Sequence, residues 1–301
     1  MMTMNQKKQL QQDKALDRHV RGVEKELIAN YQRSLKEIRG KLAELYEKTD
    51  GDFNAANKYN RLAALEASIS KEISELTKKN AKTLQNGIAG HYEESFLRTA
   101  FLLENEVKAS LGYALMNKKA ILQAIENPLD RVGFINRHKE GQLVLARQLR
   151  EEITQGLIQG KSYGQTAKKV KERFGVGAFK ATRIVQTETN RVRNRAKIDS
   201  MQEASDAGVN IKKRWMATLD KKTRDSHGDL DGVTIDLDEN FEIDGDSGDA
   251  PGNFSSPENT INCRCTMVSI VEGFEPNRRR VKGEGVTEYK TYSEWKNNVS
   301  K

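Results

Sequence analysis

The apolar and polar positions of the first hundred residues repeat with a helical period. Val23, Leu27, Tyr31, Leu35, Ile38, Leu42 and Leu45 step by three and four, which puts them on one stripe of a long amphipathic helix. The turn-forming run "KTDGDFNAAN" interrupts that stripe. Leu62, Leu65, Ile69, Ile73 and Leu76 then make a second stripe of the same kind. Two such helices joined by a short polar loop predict an antiparallel hairpin. No proline precedes Pro128, so helix is expected to continue through "EESFLRTAFLLENEVKASLGYALMNKKAILQAI" and to end near Asn127–Pro128.

A second helical block is predicted after "NRHKEG", through "QLVLARQLREEITQGLIQG". Ser162 then stands three residues before Gln165, the pattern of a capping box that starts the next helix. That helix is expected to be short and to end at Gly175 and Gly177. Another, "AFKATRIVQTETNRVRNRAKIDSMQEASDAG", is expected to stop at Gly208. Its apolar face includes Ala181, Ile184, Val192 and Ala196, and its polar face carries Arg183, Arg191, Arg193 and Arg195. After Gly208 the period changes. "IKKRWMATL" alternates charge with apolar bulk and reads as a strand, and "GVTIDL" and "CTMVSIV" are short β-favouring runs between loops.

The expected fold is therefore mainly α with a small C-terminal α+β module. We divide it into a long helical hairpin over residues 1–135, a second helical region with the basic helix over 136–210, an α+β module over 211–272, and a basic tail over 273–301. The tail is expected to hold a last helix around Trp295.

Composition sharpens this picture. Hydrophobic residues make up 36% and charged residues 31%, a ratio that suits long helices with thin apolar stripes better than one thick core. The net charge of +8 is unevenly spread. Residues 220–250 hold eleven acidic and three basic side chains, a local −8, so the rest of the chain carries +16. Basic helices of this kind fit a polyanionic partner, while the acidic module faces something else. The start of the chain lacks the apolar core of a secretory signal, and no stretch approaches the roughly 18 apolar residues of a membrane span. A soluble chain made in a reducing cytoplasm, with no membrane partner, is expected.

The two cysteines, Cys263 and Cys265, flank Arg264. In an extended segment both sulfurs point to one face and Arg264 to the other. A bridge between them would close a small strained ring, which argues against a disulfide. Two thiolates on one face are half of a zinc site, and His227 is the histidine of the same module that could join them. The alternative is a pair of small, soft residues packed in a minor core. "DKKTRDSH" sets Asp220, Thr223, Arg224, Asp225 and His227 close together. This is either an acid/base cluster or a capped turn. The acidic run "DLDENFEIDGDSGD" lacks the glycine and terminal glutamate of a calcium loop. There is no glycine-rich phosphate loop and no His-Glu-x-x-His. The basic helix and Arg278, Arg279 and Arg280 suit contact with phosphate without sequence reading, and no aromatic residues interleave with them for base stacking.

Taken in order, the run "ATRIVQTETNRVRNRA", then "RWMATLDKKTRDSHGDLDG", "APGNF" and "NCRC" resembles the phage head morphogenesis family. These are the Mu F-like minor head proteins encoded beside the portal gene in tailed phages. The resemblance covers residues 140 to 270. It rests on Thr187 and Glu188 on the basic helix, then Trp215, Asp220, Thr223, Arg224 and His227, then Pro251, Gly252, Asn262, Cys263, Arg264 and Cys265. It implies a virion protein acting by binding rather than by catalysis. The implied partners are the portal protein, packaged double-stranded DNA, and scaffold or major capsid protein. The implied place is the capsid interior near the portal vertex, with host cytoplasm during assembly, and the implied task lies in head morphogenesis and in genome packaging or ejection.

The resemblance also bears on the metal. Some members carry Cys-x-x-Cys where this chain has Arg224 to His227, with a histidine shortly before Cys-Arg-Cys. Here Arg224 takes the first of those positions and Asn259 or Thr260 the last. A guanidinium does not ligate zinc. The resemblance therefore implies no cofactor, with hydrogen bonds and ion pairs from Arg224 and Arg264 to Asp220 or Asp225 fastening the loops. Zinc on His227, Cys263 and Cys265 is the open alternative. Two rivals follow from the residues: a small metal-dependent hydrolase or nuclease using those three side chains, and a helical DNA-binding adaptor outside any virion.

Overall fold

The computed structural model describes residues 4–58, 60–113, 116, 118–126, 132–271, 278–281 and 285–288, with side chains from Ala15 to Val271 within those ranges. The elements run in order as α1 (Met4–Thr49), α2 (Phe53–Lys58), α3 (Arg61–Val107), α4 (Lys118–Ile125), α5 (Phe134–Ile158) and α6 (Tyr163–Asp206). They are followed by β1 (Ile211–Met216), α7 (Asp225–Asp229), β2 (Thr234–Asp236), β3 (Phe241–Ile243), β4 (Asp246–Gly248), α8 (Pro257–Thr260), β5 (Thr266–Val271), β6 (Arg278–Val281) and β7 (Gly285–Glu288). The chain is mainly helical with a small α+β region at its C-terminal end. It divides into two compact units that each draw on several segments. One holds residues 1–20, 87–131 and 186–301, and the other 21–86 and 132–185. The long helices α1, α3 and α6 contribute to both.

The unit of residues 21–86 and 132–185 is helical throughout its core. Both apolar stripes are used. Leu27, Ile38, Leu42 and Leu45 of α1 and Leu62, Leu65, Ile69, Ile73 and Leu76 of α3 are buried. Side-chain hydrogen bonds set the direction. Glu26 accepts from Thr83, Asn30 donates to Asn80 and Ser34 donates to Glu72. The numbers rise along α1 as they fall along α3, so the two helices are antiparallel. Asp50 and Gly51, both at positive φ, make the turn between them, and the short α2 follows it.

Helix α5 begins at Phe134, so "NRHKEG" lies inside it rather than before it. The capping box at the start of α6 is formed: the Ser162 amide donates to Gln165 Oε1 at 3.0 Å, and the Gln165 amide to Ser162 Oγ at 3.4 Å. Helix α6 then runs unbroken through Gly175 and Gly177, where the sequence suggested an end. The physical reason is at Gly177. A Cβ there would meet the Tyr31 ring at 3.1 Å and Leu145 at 3.2 Å. The glycine permits close helix approach, and its letter is the same as that of a helix stop. The expected helix from Glu93 to Ile125 is in turn interrupted after Val107. Lys108 and Gly112 adopt positive φ, and Glu104 accepts from the Leu111 amide at 2.7 Å. Asn127, Pro128 and Trp295 lie outside the described residues.

In the other unit, β1 is the central strand of a three-stranded antiparallel sheet in the order β2-β1-β5. Trp215 is opposite Met267, and Lys213 is opposite both Ile235 and Ser269. Helix α6 ends at Asp206, Gly208 follows at a φ of 94°, and the Val209 amide returns to the Ala204 carbonyl at 3.1 Å. Met201 and Ala204 of α6 pack with Leu103 of α3, Ile211 of β1 and Val271 of β5. This apolar cluster joins the sheet to the helices of its own unit. β6 and β7 form a separate hairpin in which Arg278, Arg279 and Arg280 lie opposite Glu288, Thr287 and Val286.

Candidate functional site

The motif residues converge on one core. Trp215, Ala217, Phe241, Ile243, Phe254, Cys263 and Cys265 pack together, all buried. Trp215 is at its centre, with edge-on contacts to His227, Phe241 and Phe254. Its indole N–H donates to the His227 carbonyl at 3.1 Å, so the bulkiest ring of the module also fixes α7 in place. This pattern suits an aromatic side chain with one polar handle.

His227, Cys263 and Cys265 are 1%, 2% and 3% exposed. Their donor atoms all lie within 4.8 Å of one another. His227 Nδ1 is 3.7 Å from Cys263 Sγ and 3.6 Å from Cys265 Sγ. Both cysteines are free thiols. The Cys265 thiol hydrogen-bonds to Cys263 and, with Arg224 and Arg264 nearby, holds the Cys263 thiol below the usual range against the effect of burial. The same pairing and burial push Cys265 well up. The pair thus holds one proton more readily than two. Among the described residues this is the group of histidine, cysteine and carboxylate side chains with the spacing to hold a metal ion.

Both arginines of the motif fasten loops. Arg264 points away from the thiols and makes a two-pronged ion pair with Asp220, one prong at 2.7 Å. Arg224 donates to the Ile261 carbonyl at 2.6 Å. Asp220 also accepts from the Lys222 amide at 2.9 Å, and Thr223 bonds the Thr218 carbonyl, so "DKKT" is a capped turn. Asp231 accepts from the Ala217 amide at 2.8 Å.

Helix α6 is the platform. Thr187 Oγ1 accepts from the amide of Asn262 at 3.2 Å, where Asn262 has a φ of 57°. Glu188 and Arg191 form a fully buried ion pair at 2.9 Å, and Arg191 also donates to the Ile125 carbonyl. Asn194 donates to the carbonyls of Pro251 at 2.9 Å and Cys265 at 3.1 Å, and Asn190 to Cys265 at 3.1 Å. Lys197 reaches Thr266 and the Met267 carbonyl. The backbone at Gly252 favours glycine because its φ is +83°, a conformation that L side chains rarely adopt; it lies against the Arg191 backbone at ordinary contact distance.

The arginines read as a phosphate-facing row are used in several ways. Arg183 is exposed. Arg191 is buried and occupied, so it is removed from the phosphate reading: its charge is spent on Glu188 and a backbone carbonyl. Arg193 is half-buried, and its charge helps burial push the His91 imidazole down to about 3. Arg195 pairs with Asp199 at 2.9 Å and Asp249 at 3.5 Å. The side chains of Arg278, Arg279 and Arg280 lie outside those described.

Sequence reasoning missed Asn190, Asn194 and Lys197, which hold the cysteine-bearing segment and the start of β5 that follows it. It also missed Asp246, which gathers Ser255, Ser256 and Asn259 around one carboxylate. The available signal was the pair of asparagines four apart in mid-helix, where asparagine is a poor helix former and needs another reason to be present.

Comparisons with known proteins bear on the family to which the chain belongs. Residues 147–268 match the family described as Phage Mu protein F like protein, a span that covers the platform, the core and the cysteines. The chain is 32% identical to the minor head protein GP7 of Bacillus phage SPP1, over 94% of each chain. It is 30% identical over 90% of its length to the NAD(+)--arginine ADP-ribosyltransferase EFV of Enterococcus faecalis, spanning 56% of that protein. No solved structure matches. The full-length similarity to a minor head protein, together with the matched module, establishes that this chain belongs to the phage Mu F-like family of minor head proteins.

Proposed function

We propose that this minor head protein acts at the portal vertex inside the capsid, binding the portal and the packaged double-stranded DNA during packaging or ejection of the genome. It does so without a catalytic step. The observation that carries this reading is the similarity to a minor head protein over 94% of both chains. The charge pattern supports the DNA part: the chain carries +16 outside the acidic module, and Lys168, Lys171, Lys180 and Arg183 along α6 are exposed. Lysine and arginine at such positions read phosphate and not sequence. Scaffold or major capsid protein is a further partner in assembly.

The absence of catalysis is supported by the burial of His227, Cys263 and Cys265. A hydrolytic metal needs a position that substrate can reach, and these three side chains are enclosed by the module core.

Two measurements test the reading. A pull-down with assembled portal rings is expected to retain the protein. Release of all of it in the wash would remove the portal part. Duplex DNA binding is expected to weaken as salt rises, with a log–log slope near −0.9 per phosphate contacted. Reversal of charge at Lys180 and Arg183 together should flatten that slope, and salt-independent binding would remove the phosphate mechanism. The enzyme-named relative gives a separate check. Incubation with NAD(+) and an arginine-bearing protein is expected to yield no transfer of ADP-ribose.

A further inference from the structure

We propose that His227, Cys263 and Cys265 form a metal site for a soft divalent cation of the zinc class. The inference rests on the geometry of the three donors and stands apart from how the protein works in the head.

Zinc binds thiolate sulfur at about 2.3 Å and imidazole nitrogen at about 2.0–2.1 Å, in a tetrahedron. Those lengths fix the sulfur-to-nitrogen edge of the tetrahedron near 3.6 Å. The two edges here are 3.7 and 3.6 Å. The imidazole nitrogen thus already stands at ligand spacing from both sulfurs, and the three donors lie within 4.8 Å of one another.

Hydrogen bonding alone does not account for the arrangement. One imidazole nitrogen facing two sulfurs at nearly equal distance is more than a single N–H or lone pair can use. The other ring nitrogen, Nε2, is buried and has no hydrogen-bond partner. A ring that is 1% exposed and held by no strong bond of its own is costly to bury. A cation shared with two thiolates removes that cost. Two thiolates and one divalent ion are also neutral together, which suits a core of tryptophan and phenylalanine.

The frame around the donors is rigid. The Trp215 indole holds the His227 backbone, and Asn190 and Asn194 hold the carbonyl of Cys265. Supports of this kind orient ligands before metal arrives. Neither arginine competes for the donors: Arg264 is taken by Asp220 and Arg224 by the Ile261 carbonyl. The fourth position falls to a small exogenous donor such as water. The metal would tie the α7 loop to the start of β5. Each thiol that ligates gives its proton to solvent, so uptake releases protons.

The test uses the full-length reduced protein, stripped with chelator and titrated with cobalt(II) and then zinc(II). One cobalt per chain is expected, with a thiolate-to-cobalt charge-transfer band that zinc displaces, release of protons on uptake, and a higher melting temperature with zinc. Cys263→Ser, Cys265→Ser and His227→Gln should each lose the band, while Arg264→Gln should keep it. Absence of the band in the wild type, with no change in melting temperature on adding zinc, overturns the proposal even where the cysteine variants fail to fold. A band that survives in His227→Gln overturns the three-ligand assignment.

Discussion

The helical core of residues 21–86 and 132–185 and the module around Trp215 are held by different forces. The first is built from periodic apolar stripes: Leu27, Ile38, Leu42, Ile69 and Ile73 recur at helical spacing and are buried. The second is built from a few large side chains and many side-chain bonds to backbone atoms far away in sequence, such as Asn194 to Pro251 and Cys265. A stripe spreads stability over many equivalent contacts. A clamp concentrates it in single residues that have no substitute. Helix α6 shows both. Up to Val185 it contributes buried Val170, Phe174, Ala181 and Val185, and from Thr187 onward it also buries polar side chains: Thr187, Glu188, Thr189, Arg191, Asn194 and Ser200.

The largest effect should come from breaking the clamp at its charge. Arg191→Leu takes the ion-pair partner from the buried Glu188 carboxylate and the donor from the Ile125 carbonyl. Removing one partner of a buried pair costs about 3–5 kcal/mol. Urea denaturation is the measurement. A loss below about 1 kcal/mol, the range of an exposed pair, would mean that water reaches Glu188.

Ile69→Ala in the helical core should cost about 2–5 kcal/mol, since Ile69 is fully buried. The comparison predicts where the damage is felt. Amide exchange in α3 around residue 69 should rise before exchange in β1 and β5 does. Equal loss of protection in both regions would show that the chain unfolds as one cooperative body.

Asn194→Ala is a smaller test of the clamp. It takes the donor from the Pro251 carbonyl and one of two donors from the Cys265 carbonyl, which keeps Asn190, and a buried polar group left without its partner costs about 1–3 kcal/mol. Loosening of β5, read by amide exchange at Thr266 to Val271, should accompany it. Asp246→Asn tests the carboxylate hub by pH. Burial alone would raise the Asp246 carboxyl, but the hydrogen bonds from Ser255, Ser256 and Asn259 outweigh it and hold the group well below the usual aspartate range. Its folded value is depressed, so its contribution is full above the unfolded value near 3.9 and is lost as pH falls through the folded one. The gap in melting temperature between wild type and Asp246→Asn should therefore be constant near neutral pH and shrink below about pH 4. A gap that stays constant down to pH 2 would count against the hub.

The same contrast explains what was legible in the sequence. The stripes of α1 and α3 were readable because burial in a helix leaves a period, and the capping box at Ser162 because it is local. Strand β1 was readable from alternation, although the alternation hid Lys213. That lysine is buried on the Trp215 face, where its ammonium donates to the Asp249 carbonyl at 2.9 Å and lies 5.7 Å from the centre of the Phe241 ring. Gly177 was misread because close packing and helix termination use the same residue. Arg191 looked like surface charge, since its burial depends on Glu188 one turn back and on a carbonyl 66 residues away. The cysteine motif stood out by its spacing, but the asparagines that hold it did not, because long-range bonds to backbone leave no period.

The smallest expected effect is at the rim. Arg264→Gln removes the ion pair with Asp220 and leaves the Arg264 carbonyl, which Thr218 bonds at 2.7 Å, unchanged. The two side chains are 38% and 22% exposed, so water and salt already weaken their attraction. An exposed pair is worth about 0–1 kcal/mol. The loss should lie in that range and shrink further as salt is raised past a Debye length of about 8 Å. This pair is the most visible contact of the cysteine motif, because Arg264 stands between the two thiols. If its removal cost as much as Asn194→Ala, the module would be held at its charged edge as firmly as from α6. A cost well below that of Asn194 would locate the stability of the motif in the platform beneath it, with Arg264 limiting only the motion of the Asp220 turn.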